Sequence, residues 1–74
     1  MNFINVGIVG AGARSIAFCQ YAKNNPEKIK IRAIADLKSS KANILNNYFN
    51  LGAKVVTDFN EFITDTQIDA IIIS

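Results

Sequence analysis

The sequence predicts an α/β fold: a partial doubly wound parallel sheet of four strands in the order 3-2-1-4, with flanking helices. Segments with the composition of buried strands alternate with segments of helical spacing along the 74 residues. Strands joined through helices pair in parallel by right-handed crossovers. The last segment, residues 68–73, is rich in β-branched apolar residues, as expected of a strand that helices cover. We therefore expect residues 1–74 to form one part of such a sheet.

The first half of the chain predicts two strands and the helix between them. Residues 3–9 are rich in Phe, Ile and Val and lead directly into a glycine turn, which indicates a buried strand. Residues 13–24 contain neither Gly nor Pro, and Pro26 ends the predicted helix. Its apolar residues at helical spacing are Ala13, Ile16, Ala17 and Tyr21. A second strand is predicted over residues 29–35, with Asp36 at its carboxyl end.

The second half predicts two further helices and strands. A helix is expected over residues 39–50, with Gly52 as its left-handed stop. The residues expected on its inward face are Ala42, Leu45, Tyr48 and Phe49. Residues 54–56 suit a short strand. Asp58 is placed to cap a short third helix, and Glu61 to reach back towards that cap.

Composition excludes several classes of function. The net charge is only +2 and the basic residues are dispersed, so we expect no nucleic-acid partner. With Cys19 as the single cysteine and no histidine, neither an intrachain disulfide nor a Cys/His metal site is possible within the chain. No segment suits a signal peptide or a membrane span, which predicts a cytoplasmic location. Cys19, both tyrosines and the five phenylalanines are interpreted as packing residues.

The most specific motif is the glycine turn that follows the first strand and opens the first helix. Gly10 permits a sharp turn, and Gly12 lets a pyrophosphate approach the backbone. The helix amino terminus offers free N–H groups and the positive end of its dipole. The candidate pyrophosphate contacts are Gly10, Gly12, Ala13, Arg14 and Ser15. For Arg14, a phosphate contact and a solvated side chain are both open.

An acidic residue follows the glycine turn at the sequence interval expected of a dinucleotide-binding fold. Asp36 lies 21 residues beyond Ser15, close to the interval at which a carboxylate reaches the adenosine ribose in dinucleotide-binding folds. This favours NAD as the cofactor over NADP. Leu37, Lys38 and Ser74 complete the candidate cofactor contacts; Lys38 either approaches a 2′-phosphate or is simply solvated.

A purely structural interpretation also exists, because a glycine after a strand often only makes a turn and an aspartate often only caps a helix. Here strand, turn, helix, strand and acid occur in order within about 35 residues, the length of a βαβ unit. That combination favours nucleotide binding.

Four segments of the chain resemble the amino-terminal part of the Gfo/Idh/MocA oxidoreductases, a family with a Rossmann fold. They are residues 6–14, 34–36, 56–62 and 68–73. The resemblance implies a two-domain enzyme that uses NAD or NADP on a hydroxyl of a sugar, cyclitol or related polyol. It also implies that the catalytic lysine and the substrate domain lie outside these 74 residues, which alone are not expected to be active. Ser15 departs from the glycine usual in the family's turn.

Two other functions stay open on the sequence. One is a nucleotide-sensing module without catalysis. The other is a methyltransferase. Methyltransferases usually carry an acidic residue just before the glycines of the turn, whereas residues 7–9 of this chain are apolar, which disfavours this function. We also expect the apolar last strand to leave an unpaired edge that promotes self-association.

Overall fold

The computed structural model describes residues 3–58, 60–64 and 67–73. It contains four strands and three helices. The strands are β1 (Ile4–Val9), β2 (Ile29–Ala35), β3 (Lys54–Val56) and β4 (Ala70–Ile73); the helices are α1 (Ala13–Asn24), α2 (Ser39–Phe49) and α3 (Asn60–Ile63). The strands pair in parallel in the order β3-β2-β1-β4. The predicted fold class and strand order are confirmed.

Helices α1 and α2 cover one face of the sheet and form the larger core with it. Its buried residues are Val6, Ile8, Ile31 and Ile34 from the strands, Cys19 and Ala22 from α1, and Ala42, Leu45 and Phe49 from α2. The opposite face has a smaller cluster, formed by Ala33, Ala35 and Val56 with Val9 and Ile68 packed against it. None of the described helices is long and apolar enough to cross a membrane.

The pairing of β1 with β2 contains one irregularity. Val6 pairs with Ile31, but the next residue, Gly7, pairs with Ala33, so Arg32 is an extra residue in β2. Beyond this point the side chains of β2 exchange faces, and Ile34 joins Ile31 in the larger core. The Arg32 guanidinium donates from Nε to Oδ1 of Asn5 at 3.0 Å.

Helix α1 forms where it was predicted but presents a different face to the sheet. Ser15, Cys19 and Ala22 are buried, whereas Ile16 and Tyr21 are 51% and 46% exposed. The apolar residues at helical spacing therefore do not mark the buried face, and the packing role predicted for Tyr21 is wrong. The buried residues are small, so α1 can lie close to the strands, and this close approach determines the helix orientation. Burial raises the pKa of the Cys19 thiol to about 11, consistent with its predicted packing role.

Helix α2 buries three of its four predicted core residues. The exception is Tyr48, which is 80% exposed; its ring makes an edge-to-face contact with that of Phe49, with centroids 4.9 Å apart. The left-handed residue that ends the helix is Asn50, at φ 51°, rather than Gly52. Leu51 N–H donates to the carbonyl of Asn46 at 3.0 Å, which completes a Schellman motif.

The predicted cap of α3 is confirmed in part. Asp58 caps α3, since its Oδ1 accepts from Asn60 N–H at 2.9 Å. Glu61 does not complete the expected capping box; its carboxylate lies 4.0 Å from the Lys54 ammonium.

Of the predicted packing phenylalanines, Phe49 and Phe18 join the core and Phe3 is 37% exposed. The side chains of Phe59 and Phe62 lie outside the described part of the chain.

Truncating a buried and an exposed isoleucine should destabilise the fold by different amounts. Ile34→Val should lower the free energy of unfolding by about 0.5–1.5 kcal/mol, because Ile34 is fully buried. Ile44→Val, at a site that is 69% exposed on α2, should change it by less than about 0.5 kcal/mol. Urea denaturation followed by circular dichroism measures both. Equal effects of the two substitutions would contradict the assigned core.

Candidate functional site

The carboxyl ends of β1, β2 and β3 open into a cleft of about 310 Å³. Its lining residues are Val9, Gly10, Ala35, Asp36, Leu37 and Thr57. Because β2 and β4 lie on opposite sides of β1, the direction of winding reverses at β1, and ligands of open α/β sheets bind at such a reversal. Two larger clefts, of about 450 and 460 Å³, lie elsewhere, and no glycine or acidic residue is among those described as lining them.

Gly10 is required by the conformation of the turn. Its φ of 93° lies in the left-handed region, where a side chain is strained. Its N–H donates to the carbonyl of Ala35 at 2.8 Å, which continues the pairing of β1 with β2 by one residue. The turn is thereby attached to the end of β2, immediately before Asp36.

Gly12 has a different reason to be glycine. Its φ is −92°, which any residue can adopt. A Cβ placed on Gly12 would meet no atom of the described residues within 4 Å. Neither backbone strain nor packing within the described fold explains a glycine here. The absence of a side chain instead leaves the backbone accessible from outside the chain.

The start of α1 is suited to an anion. Gly12 is its N-cap and provides no side-chain cap, and the first turn contains no acidic residue. Among the residues that the structure describes, none accepts a hydrogen bond from the N–H groups of Gly12, Ala13 or Arg14. Such free N–H groups, with the positive end of the helix dipole, bind phosphate groups.

Asp36 connects the glycine turn to the start of α2. Its Oδ1 accepts from Lys38 N–H at 2.8 Å and its Oδ2 accepts from Ala11 N–H at 2.9 Å. These two bonds, and more weakly the charges of Lys41 and Lys38, hold the pKa of the Asp36 carboxyl below its usual range. A carboxylate offers about four lone-pair sites. It can therefore accept further hydroxyl donors while it keeps both backbone bonds.

Ser15 takes a position that the sequence did not predict. Its side chain is fully buried, and Oγ donates to the carbonyl of Gly10 at 2.5 Å. The hydroxyl thus faces the inside of the turn. The sequence offers one indication of this bond, a hydroxyl residue five positions after the first glycine of the turn.

The other candidate residues surround the cleft without forming one cluster. The Arg14 side chain is exposed and makes no hydrogen bond or ion pair with the described residues. Leu37 is 91% exposed beside the cleft, and the Lys38 backbone forms the N-cap of α2. Ser74 lies outside the described residues.

The family model GFO_IDH_MocA, described as an oxidoreductase family with an NAD-binding Rossmann fold, matches residues 4–74. No curated protein matches the chain at a significant level.

Several solved structures share the fold. A myo-inositol dehydrogenase from Lactobacillus casei, in complex with NAD(H) and myo-inositol, is 27% identical with a TM-score of 0.90; the match covers 99% of this chain and 22% of that one. A myo-inositol dehydrogenase from Corynebacterium glutamicum is 25% identical with a TM-score of 0.84, covering 99% and 21%. A 3-ketoreductase from Actinomadura kijaniata, in complex with NADP, shares the fold at 20% identity and a TM-score of 0.79, covering 95% and 22%.

The chain therefore spans about a fifth of the length of these solved structures. The family model, by contrast, matches nearly all of it, from residue 4 to residue 74. The strand order, the glycine turn and the acid after β2 agree with that match. The chain belongs to the Gfo/Idh/MocA family of oxidoreductases with an NAD-binding Rossmann fold.

Proposed function

We propose that residues 1–74 are the amino-terminal cofactor-binding part of an enzyme that oxidises or reduces a hydroxyl of a sugar, cyclitol or related polyol with NAD. The observation that carries the proposal is Gly12, a glycine that the described fold does not need and that exposes the start of α1. Family membership supports the cofactor class. The substrate class rests on the resemblance and on the myo-inositol bound by the Lactobacillus casei relative.

In this proposal the start of α1 binds the pyrophosphate. The N–H groups of Gly12, Ala13 and Arg14 act as donors, and the Arg14 guanidinium adds a positive charge beside them. Gly10 and Ser15 shape the turn. The cofactor supplies hydride transfer at its nicotinamide, while this part of the chain binds and orients it.

Asp36 is proposed to accept hydrogen bonds from the adenosine ribose. Its carboxylate stays ionised and lines the cleft, and its negative charge disfavours a 2′-phosphate, so NAD should bind more tightly than NADP. Lys38 and Lys41 act on the same carboxylate and should reduce this preference without reversing it. Leu37 provides apolar surface beside the cleft, and Ser74 is proposed as a contact from the end of the last strand.

Gly12→Ser tests the pyrophosphate site. Serine is a good N-cap and restricts the unfolded chain, so the free energy of unfolding should rise by about 0.5–1 kcal/mol. NADH affinity, measured by calorimetry, should nevertheless fall at least about tenfold, because the new side chain occupies the approach to the backbone. Ala17→Ser, on the exposed side of α1, is the control and should leave affinity unchanged. A folded Gly12→Ser chain that binds NADH normally would refute the site.

Asp36 variants test the ribose contact. Asp36→Ala should weaken NADH binding about tenfold and bring the NADH and NADPH affinities closer together, because the charge that disfavours the 2′-phosphate is removed. Lys54→Ala, whose ammonium lies by Glu61 rather than at the cleft, is the control and should leave the ratio unchanged. An NADH to NADPH ratio that Asp36→Ala does not alter would contradict the assignment.

Asp36 should also make stability depend on pH. Since its folded pKa is lowered, its contribution is present above the unfolded value of about 3.9 and is lost as the pH falls below it towards the folded pKa. Asn at this position can accept from only one of the two backbone N–H groups through its amide oxygen. Urea denaturation should therefore show wild type more stable than Asp36→Asn at pH 6, with a smaller difference at pH 3. A constant difference would exclude this role for the charged form.

Self-association through β4 is proposed as a property of the chain alone. Among the described strands β4 pairs only with β1, and Ile71 and Ile73 are 38% and 73% exposed. Ile73→Lys should shift sedimentation towards the monomer, whereas Ile44→Lys, at a similarly exposed site on α2, should not. Association that persists in Ile73→Lys would place the contact elsewhere.

A further inference from the structure

One peptide group of the glycine turn is bound at both of its polar atoms. The carbonyl of Gly10 and the N–H of Ala11 belong to the same planar unit. The carbonyl accepts from Ser15 Oγ at 2.5 Å, and the N–H donates to Asp36 Oδ2 at 2.9 Å. The donor, Ser15 Oγ, lies in the first turn of α1, and the acceptor, Asp36 Oδ2, belongs to the residue that follows β2.

The Ser15 hydroxyl is a polar group within an otherwise apolar buried face of α1. Ser15 is the one buried polar side chain among those that the structure describes, and it lies on the same face of α1 as Cys19 and Ala22. An alanine would fill most of this volume without a polar atom to satisfy. The hydroxyl donates to the carbonyl of Gly10, the residue of the turn whose φ is 93°.

We propose that Ser15 is a positioning residue: together with Asp36 it fixes the plane of the Gly10–Ala11 peptide and so directs the following N–H groups towards the dinucleotide. The consequence for binding rests on the function proposed above. Rotation of this plane about the Gly10 and Ala11 dihedrals would redirect the N–H groups of Gly12 and Ala13. Ser15 thus acts through the backbone and need not contact the cofactor.

The test compares Ser15→Ala with Cys19→Ala in the full chain. Both remove one polar or sulfur atom from fully buried sites on the same face of α1, but only Ser15 bonds to the turn. Calorimetry with NADH, at a temperature where circular dichroism shows every variant folded, should give about five- to tenfold weaker binding for Ser15→Ala. Cys19→Ala should bind as wild type even where it loses as much stability.

Two further readouts separate positioning from stability. Without ligand, hydrogen exchange of the Ala11 amide should be about fivefold faster in Ser15→Ala and unchanged in Cys19→Ala. In the Asp36→Ala background, which removes the acceptor of the Ala11 N–H, Ser15→Ala should weaken NADH binding by less than it does in wild type, because the plane is already released at its other end.

The outcomes distinguish the two proposals. Wild-type affinity in Ser15→Ala, or an equal loss in Cys19→Ala at equal stability, would overturn the role of Ser15. If wild type binds neither NADH nor NADPH, the proposed function fails, and the ligand-free exchange of Ala11 alone decides whether Ser15 holds the peptide. Unchanged Ala11 exchange in Ser15→Ala would then also overturn the proposal that Ser15 holds the peptide.

Discussion

The pairing of β1 on both of its edges is the constraint on which the rest of the structure depends. β2 pairs along one edge and β4 along the other, and Val6 and Ile8 of β1 are buried beneath the two longer helices. Because all these pairings are parallel, the carboxyl ends of the strands meet at one edge of the sheet. The geometry of the sheet thereby brings together the glycine turn, Asp36 and the start of α1.

The two glycines of the turn show how differently the same residue type can be explained. Gly10 satisfies a backbone requirement, since its left-handed conformation is set by the exit from β1. Gly12 satisfies no such requirement and leaves the N-terminus of α1 open. Most of the candidate binding groups are backbone N–H donors, so the site depends on peptide orientation more than on side-chain chemistry. In the function proposed above, the contacts of Ser15 and Asp36 therefore act on the ligand through the orientation of the backbone.

Strand and helix positions could be predicted from the sequence because they depend on local composition and spacing. The glycine turn and Asp36 could be predicted because a βαβ unit has a limited length. The inward face of α1 could not, since Ile16 and Tyr21 are the more hydrophobic choices and only the close approach to the sheet selects Cys19 and Ala22. The second role of Asp36, as acceptor for the Ala11 N–H, could not be predicted either, because it depends on how two βα units are placed relative to each other.

The extra residue in β2 shows that the acid is positioned by geometry and not by a fixed residue count. In a regular strand, Ile31 and Asp36 would project to opposite sides, because they are an odd number of residues apart. Arg32 adds one residue that takes no place in the pairing, and Asp36 consequently projects to the side on which α1 begins. A relative one residue shorter in this strand, without the irregularity, would bring its acid to the same turn. The interval between glycine and acid can therefore vary between homologous chains while the site itself is preserved.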